Sequence, residues 1–385
     1  SVTLFIALNS WRINQPAVNH YRREGMPVTA DGDCINPELT TLSRTPLVAS
    51  VPLNLINTEV MSNDRFYVRN HFPIPKVNAA NWSLPVSGEV DIPLNISYQD
   101  LKELPRHEVL ALLECAGNSR GAIQPPIEGL LWDHGGVGTA GWAGVSLSTV
   151  LERSGLRSTA KEVLIEGYDE GEERGASGKM NYAMSLPMEK ALHPDTLLAY
   201  EMNGEILPGT HGFPLRAVVP GWFGMTSVKW IKSIQVLDHA FEGYHQTSYY
   251  VLVPEGATGD QPNERVTSLR VKSLISHPVR GQYVTEGQVM IEGMAWSGNA
   301  LINKVEISTD DGKSWQDAQV SPSPSPYAWQ RWKYTWEANT PGNYLIRSRA
   351  TDLKGDTQPV QAQWNFRGFA NNAIHVVPVI VRPKS

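Results

Sequence analysis

The stretch Leu112-Leu113-Glu114-Cys115-Ala116-Gly117-Asn118-Ser119-Arg120-Gly121 runs from an apolar strand into a turn of small residues, with a thiol at the junction and an arginine five positions beyond it. A strand that empties into Ala-Gly-Asn lifts a side chain out of the core and lets backbone approach a ligand closely. A cation beside the thiol is expected to lower its pKa and favour the thiolate, the form that binds metal or attacks an electrophile. The plainer reading makes Cys115 a small buried hydrophobe. The rest of the chain decides between the two.

A chain of 385 residues is too long for one ordinary core, so two domains are expected. The hydrophobic fraction of 41% suits a globular protein, and no apolar run is long enough to span a membrane. A formal charge of -6, with no basic stripe, argues against a nucleic-acid partner. Any anion has to be bound by particular arginines acting against the overall field. Cys34 and Cys115 are too few for a zinc site built of thiolates, and neither CxxC nor HExxH occurs. One disulfide between them stays open as a pairing that would consume the thiol. The start at Ser1, with Val2–Leu8 too short and without the basic lead of a signal peptide, fits a processed, exported chain or an engineered one. That puts a periplasmic location slightly ahead of a cytoplasmic one.

Residues 1–60 hold Pro16, Pro27, Pro37 and Pro46 and read as an irregular segment wrapping a first domain over 1–262. A strand over Phe66–Arg69 would point Arg69 and His71 to the same side. Short strands are expected over Trp82–Ile96 and one or two helical turns over Tyr98–Leu104. Gly136, Gly138 and Gly141 spell GxGxxG, but Trp132-Asp133-His134-Gly135 before them is a poor parallel strand, which weakens a nucleotide reading. Beyond it the pattern gives a helix within Val145–Leu156, a brief strand Val163–Ile165 ended by Gly167-Tyr168-Asp169, a polar loop over 170–181 and a helix over Leu186–Leu192. Leu197–Glu205 reads as a strand with a turn. His211, Arg216 and Lys229 lie within twenty residues, and desolvated cations need anionic partners. From Asn263 onward, alternating strands and the Asp310-Asp311-Gly312 hairpin signal point to an all-β sandwich over 263–385.

The cysteine stretch resembles the cysteine motif of the sulfite oxidase family of molybdenum enzymes. So do Phe66–His71, Gly129–Trp132, Leu197–Gly204, His211–Arg216 and Val228–Ile231, and Trp364-Asn365-Phe366-Arg367-Gly368 with Asn371-Asn372 is similar to the family's closing motif. They occur in the family's order from about residue 60 to the end. The resemblance implies an α+β fold: a molybdopterin-binding domain over 1–262, then an immunoglobulin-like dimerisation domain over 263–385, hence a homodimer. It implies a molybdenum–molybdopterin cofactor with Cys115 as the metal's thiolate ligand, and Arg69, Asn70, His71, Asp169, His211, Arg216, Ser227 and Lys229 holding the pterin and its phosphate. Arg69, Arg120, Trp132 and Arg367 match the family's anion pocket. Its tyrosine lies 21 residues beyond the lysine, which selects Tyr250, or Tyr249 with a gap of one.

The implied reaction is oxidation of sulfite to sulfate, with Tyr250 donating a hydrogen bond near the reacting oxygen. Electrons would leave to an external acceptor such as a c-type cytochrome, or to oxygen. No haem is expected in this chain, because no b5-type domain precedes residue 60 and no CxxCH is present. Ser119 stands where many members carry a second arginine, which implies a lower outer charge on the pocket. The run Tyr244–Ser248 is unlike the animal and plant forms. Nitrate reductases share the fold but usually have methionine at the position of Arg367, so Arg367 favours sulfite over nitrate or an organic S- or N-oxide.

Overall fold

Residues 35–257 and 264–384 are described by the structure, a computed structural model. Cys34, most of the N-terminal segment and the expected boundary at 262/263 lie outside the described residues.

The sheet that delivers the thiol is antiparallel. His107–Glu114 pairs along its whole length with Val137–Ser146, which pairs in turn with Leu197–Met202. Val137–Ser146 is buried on both faces because its glycines let neighbours close in. A Cβ on Gly144 would fall 1.9 Å from the Leu198 carbonyl oxygen, and one on Gly138 would fall 2.7 Å from the Phe66 ring. Gly138 and Gly141 of the GxGxxG therefore lie inside a strand, and Gly136 just before it is packed on Trp132, so the motif is no phosphate-binding turn between strand and helix. The nucleotide reading is overturned.

A second sheet runs in the order Leu94–Ser97, Ser83–Gly88, Ile231–Leu237, Glu162–Glu172, Lys179–Pro187, with Ser83–Gly88 and Ile231–Leu237 as its parallel pair. Glu162–Glu172 is longer than expected. It passes through Gly167-Tyr168-Asp169 with a register shift, and Val163, Ile165, Gly167 and Asp169 alternate inward. The expected polar loop is the outer half of a hairpin, in which glycines and charges mask the strand pattern. Period two then carries Asp169 onto the inner face. The expected helix over Leu186–Leu192 shortens to Met188–Ala191, since Leu186 and Pro187 finish a strand. Tyr98–Glu103 is helical as expected, opened by a capping box between Ser97 and Asp100.

The N-terminal segment is not merely a wrapping. Thr40–Arg44 and Leu47–Ser50 form a hairpin that pairs with Val68–Arg69, and Leu47, Val48, Ala49 and Ser50 are all buried. The strand expected over Phe66–Arg69 shortens to Val68–Arg69.

The C-terminal part is a two-sheet β-sandwich. Lys272–His277, Gly287–Trp296, Gln330–Ala338 and Gln319–Val320 make one sheet; Tyr283–Thr285, His375–Arg382, Gly342–Asp352, Ile302–Ser308 and Gln316–Asp317 make the other. Ile275, Ile291, Val305, Ile346 and Val377 belong to the core between them. Among the described residues no helix is long and apolar enough to cross a membrane.

Candidate active site and cofactor cavity

Cys115 stands one residue past its strand, held by backbone and by Asn118. Its N–H donates to the Gly136 carbonyl at 2.8 Å. The Asn118 side chain accepts from the Gly136 N–H at 3.0 Å and donates to Glu114 Oε1 at 3.0 Å. Glu114 is fully buried and also accepts from two residues of the sandwich, Lys272 Nζ at 2.8 Å and Trp296 Nε1 at 2.9 Å. The sandwich fastens the turn twice more: Ala370 N–H reaches the Ala116 carbonyl at 2.8 Å, and Asn371 Nδ2 the Ser119 carbonyl at 2.7 Å. Ser119 is buried in the left-handed conformation (φ 67), with its hydroxyl 2.7 Å from His134 Nδ1. It lines neither of the two spaces described below.

Behind the thiol lies a space of about 650 Å³, open solvent included, that Arg69, Asn70, His71, Asp169, His211, Arg216, Ser227 and Lys229 all line. Arg216 is buried, packed over the Trp142 ring, and donates to three backbone carbonyls, those of Ala217, His211 and Ser227. Burial pushes its pKa down to about 10. Lys229 donates to the Asn70 side chain and to the carbonyls of Arg69 and Thr210. Burial and the neighbouring Arg216 push its pKa well down. Burial raises Asp169 to about 7, with Lys229 opposing. His211 is lowered to about 3 by burial, Arg216 and Lys229.

In front of the thiol opens a funnel of about 1830 Å³, open solvent included, that shares Arg69, Cys115 and Tyr250 with the cavity. Arg120 and Trp132 line it from the cysteine turn and the loop beyond, and Arg367 lines it from the sandwich. The Arg120 guanidinium lies 5.0 Å from the centre of the Phe369 ring, and that of Arg367 lies 4.4 Å from the centre of Tyr249. Burial pushes the Cys115 thiol up, and Arg69, the Gly117 N–H and Arg120 oppose it without prevailing. The expected lowering by a cation is thus corrected: cations alone do not make the thiolate here, whereas metal coordination would deprotonate it outright.

Tyr250 is buried and touches both spaces; Tyr249 is half-buried and lines the funnel alone. Tyr249 ends a π-helical turn over His245–Tyr249, the form taken by most of the Tyr244–Ser248 run, and Tyr250 follows it. The Tyr250 hydroxyl lies 2.6 Å from His71 Nε2, and His71 Nδ1 lies 2.8 Å from Glu173 Oε1. Burial and Arg69 lower His71 to about 3, so its imidazole is neutral. Burial raises Glu173, but hydrogen bonds from His245 and His71 more than offset this and hold it well below the usual carboxylate range. An anionic Glu173 only accepts, so Nδ1 carries the His71 proton and Nε2 accepts from Tyr250. His71 thus lines the cavity with both ring nitrogens engaged inside the protein, and the Tyr250 hydroxyl is held against it.

Residues 71–245 match the family described as the oxidoreductase molybdopterin binding domain, and residues 263–382 match the Mo-co oxidoreductase dimerisation domain. The chain is 34% identical to the sulfite oxidase of Gallus gallus over 88% of its own length and 77% of that protein. It is likewise 34% identical to the sulfite oxidase of Arabidopsis thaliana, over 89% of this chain and 94% of that one. The chain belongs to the sulfite oxidase family. Among solved structures, the sulfane dehydrogenase SoxCD of Paracoccus pantotrophus matches with a TM-score of 0.77 at 28% identity, covering 95% of this chain and 93% of that one.

The cavity fits the family's molybdopterin on chemical grounds. Asp169 Oδ1 and Asn70 Nδ2 are buried there without a hydrogen-bond partner, and Arg120 Nε is equally bare beside the funnel. Each such group costs about 1–3 kcal/mol unless a ligand satisfies it. A ring rich in N–H and carbonyl groups would do so, and a phosphate would answer Arg216 and Lys229. Sequence reading missed Glu173, Tyr182, His245, Lys272 and Phe369. Glu173 looked like one more acid in a surface run, and Lys272 and Phe369 lie in another domain, where no local pattern ties them to the thiol.

Proposed function

We propose that this chain oxidises sulfite to sulfate with a molybdenum–molybdopterin cofactor, held at Cys115 through the metal and by Arg216, Lys229, His211, Asp169, Asn70 and Ser227 through the pterin and its phosphate. When bound, that cofactor supplies two-electron oxygen-transfer chemistry. The observation that carries the reading is the convergence of Arg69, Arg120 and Arg367 on the funnel beside Cys115, with no carboxylate paired to any of them among the described residues. Guanidiniums gathered this way repel one another, and a small oxyanion of charge near -2 relieves the repulsion with bidentate hydrogen bonds. A singly charged nitrate answers three guanidiniums less well than doubly charged sulfite, which ranks sulfite ahead of nitrate. The fully buried Trp132 indole fills the wall beside Arg120 and keeps bulk water from screening the charges.

Electrons pass to an external one-electron acceptor, for which a c-type cytochrome has the right chemistry. The sandwich, which matches a dimerisation domain, makes the protein a homodimer. The test is molybdenum analysis of protein made in a host able to synthesise the cofactor, paired with sulfite-dependent reduction of cytochrome c or ferricyanide. Near-stoichiometric metal with turnover, both lost in Cys115→Ser, is the expected result. Metal without sulfite turnover would move the assignment to another oxyanion, and absence of metal would end it.

A further inference from the structure

Oxidation of sulfite consumes water: sulfite and water give sulfate, two protons and two electrons, the electrons leaving one at a time to the external acceptor. The water has to give up its protons in a funnel lined by the donor-only cations Arg69, Arg120, Arg174 and Arg367 and by two carboxylates, Glu128 and Glu173, the second already engaged by His71. Among the described residues, the one uncharged hydroxyl that borders both this funnel and the cavity behind Cys115 is that of Tyr250.

We propose that Glu173 is a positioning residue which, acting through His71, turns the Tyr250 hydroxyl so that its oxygen faces the reaction space as a hydrogen-bond acceptor for that water. This rests on the sulfite reading of the site.

The geometry around Glu173, His71 and Tyr250 favours this arrangement of protons. Glu173 follows the strand Glu162–Glu172 at the tip of a hairpin, and its carboxylate meets His71 Nδ1 at 2.8 Å. The imidazole is fixed in plane by stacking on Tyr182, with ring centres 5.1 Å apart and planes 20° from parallel. His245 Nε2, at 3.5 Å from the same Glu173 oxygen, helps hold the carboxylate. Arg69 lies 3.4 Å from His71 Nε2 and opposes a second proton on the ring. With Nδ1 protonated, Nε2 accepts the Tyr250 proton at 2.6 Å, and the phenol oxygen, which also meets the Tyr182 hydroxyl, turns a lone pair to the cavity and funnel it lines. Without an acceptor at Nδ1, neutral imidazole is free to carry its proton on Nε2. It would then donate to Tyr250 and turn the phenol proton toward the reaction space.

Two measurements on the cofactor-loaded protein test this. In 15N NMR of labelled histidines, wild-type His71 should be a neutral Nδ1–H tautomer, and Glu173→Leu should shift it toward Nε2–H. In rapid kinetics, Glu173→Leu should reduce the enzyme with sulfite at a rate within about twofold of wild type. The water-consuming return to the oxidised state should slow about tenfold, and Glu173→Asp should recover part of the loss. An Nε2–H tautomer in the wild type would overturn the proposal, as would a Glu173→Leu defect confined to the sulfite step or no defect at all. If wild-type protein does not turn over sulfite, the functional reading fails by itself, and the NMR still decides how Tyr250 is turned.

Discussion

Replacing Lys272 with methionine removes one charge from the pair that locks the cysteine turn to the sandwich, while nearly conserving volume. Lys272 and Glu114 are 3% and 2% exposed at the side chain and 2.8 Å apart. Water therefore cannot substitute for the lost ammonium. Glu114 keeps its bonds from Asn118 and Trp296 but loses its countercharge. Breaking such a pair from one side typically costs about 3–5 kcal/mol, because the remaining charge is stranded, not because the pair itself is worth that much. Unfolding entropy scales to about 0.8 kcal/mol/K for a chain of this length, so Tm should fall by about 4–6 °C if the molecule melts as one unit. Calorimetry of wild type, Lys272→Met and Lys272→Met/Glu114→Gln measures this directly. The double variant, with neither charge stranded, should recover most of the loss. A shift under about 1 °C in the single variant, or a double variant as unstable as the single, would refute the reasoning.

Three further outcomes follow from the site and its frame. Arg367→Met should raise the KM for sulfite about 10–100-fold, the loss of one charged hydrogen bond of about 1.5–3 kcal/mol, with molybdenum content unchanged because Arg367 does not line the cofactor cavity. Gly144→Ala should prevent accumulation of folded protein, since the added methyl meets the Leu198 carbonyl; normal solubility and melting would contradict the packing account of the glycine run. His375, held at about 3 by burial, Lys272 and Arg280, contributes stability that is complete above about pH 6.5 and is lost as pH falls toward 3. In urea unfolding between about pH 6 and 4, His375→Gln should flatten the acid loss by about 1.4 kcal/mol per pH unit; an unchanged slope would show that His375 does not titrate on unfolding.

What the sequence made legible depended on the range of the forces involved. Turn chemistry and two-residue alternation are local, so the sandwich strands, the Asp-Gly hairpin and the helix Tyr98–Glu103 could be read from neighbouring residues. Glu162–Glu172 could not be read at full length, because Gly167 and Gly171 are poor strand formers kept in line by the strands on either side. The cations at 211–229 stood out because burying charge needs a reason, and the arginines at 69, 120 and 367 because they fall on the positions of the family's anion pocket. Their partners did not stand out. Glu173 reaches His71 across 102 positions, and Lys272 reaches Glu114 across 158. Only tertiary structure brings such pairs together, so neither the tyrosine's direction nor the anchoring of the thiol could be inferred from spacing.

The lining of the two spaces also separates what each domain does. Every residue lining the cofactor cavity precedes position 263, while Trp364, Phe366, Arg367 and Phe369 close the funnel from the sandwich. The sandwich is thus no passive dimerisation module. It supplies one cation of the funnel and, through Lys272 and Trp296, fixes the residue next to the Cys115 thiol. Changes in the sandwich should therefore appear first in substrate handling and in the behaviour of Cys115, and changes at Asp169, Arg216 or Lys229 first in retention of the cofactor. A variant at Arg367 that lost molybdenum while leaving the KM for sulfite alone would break that division.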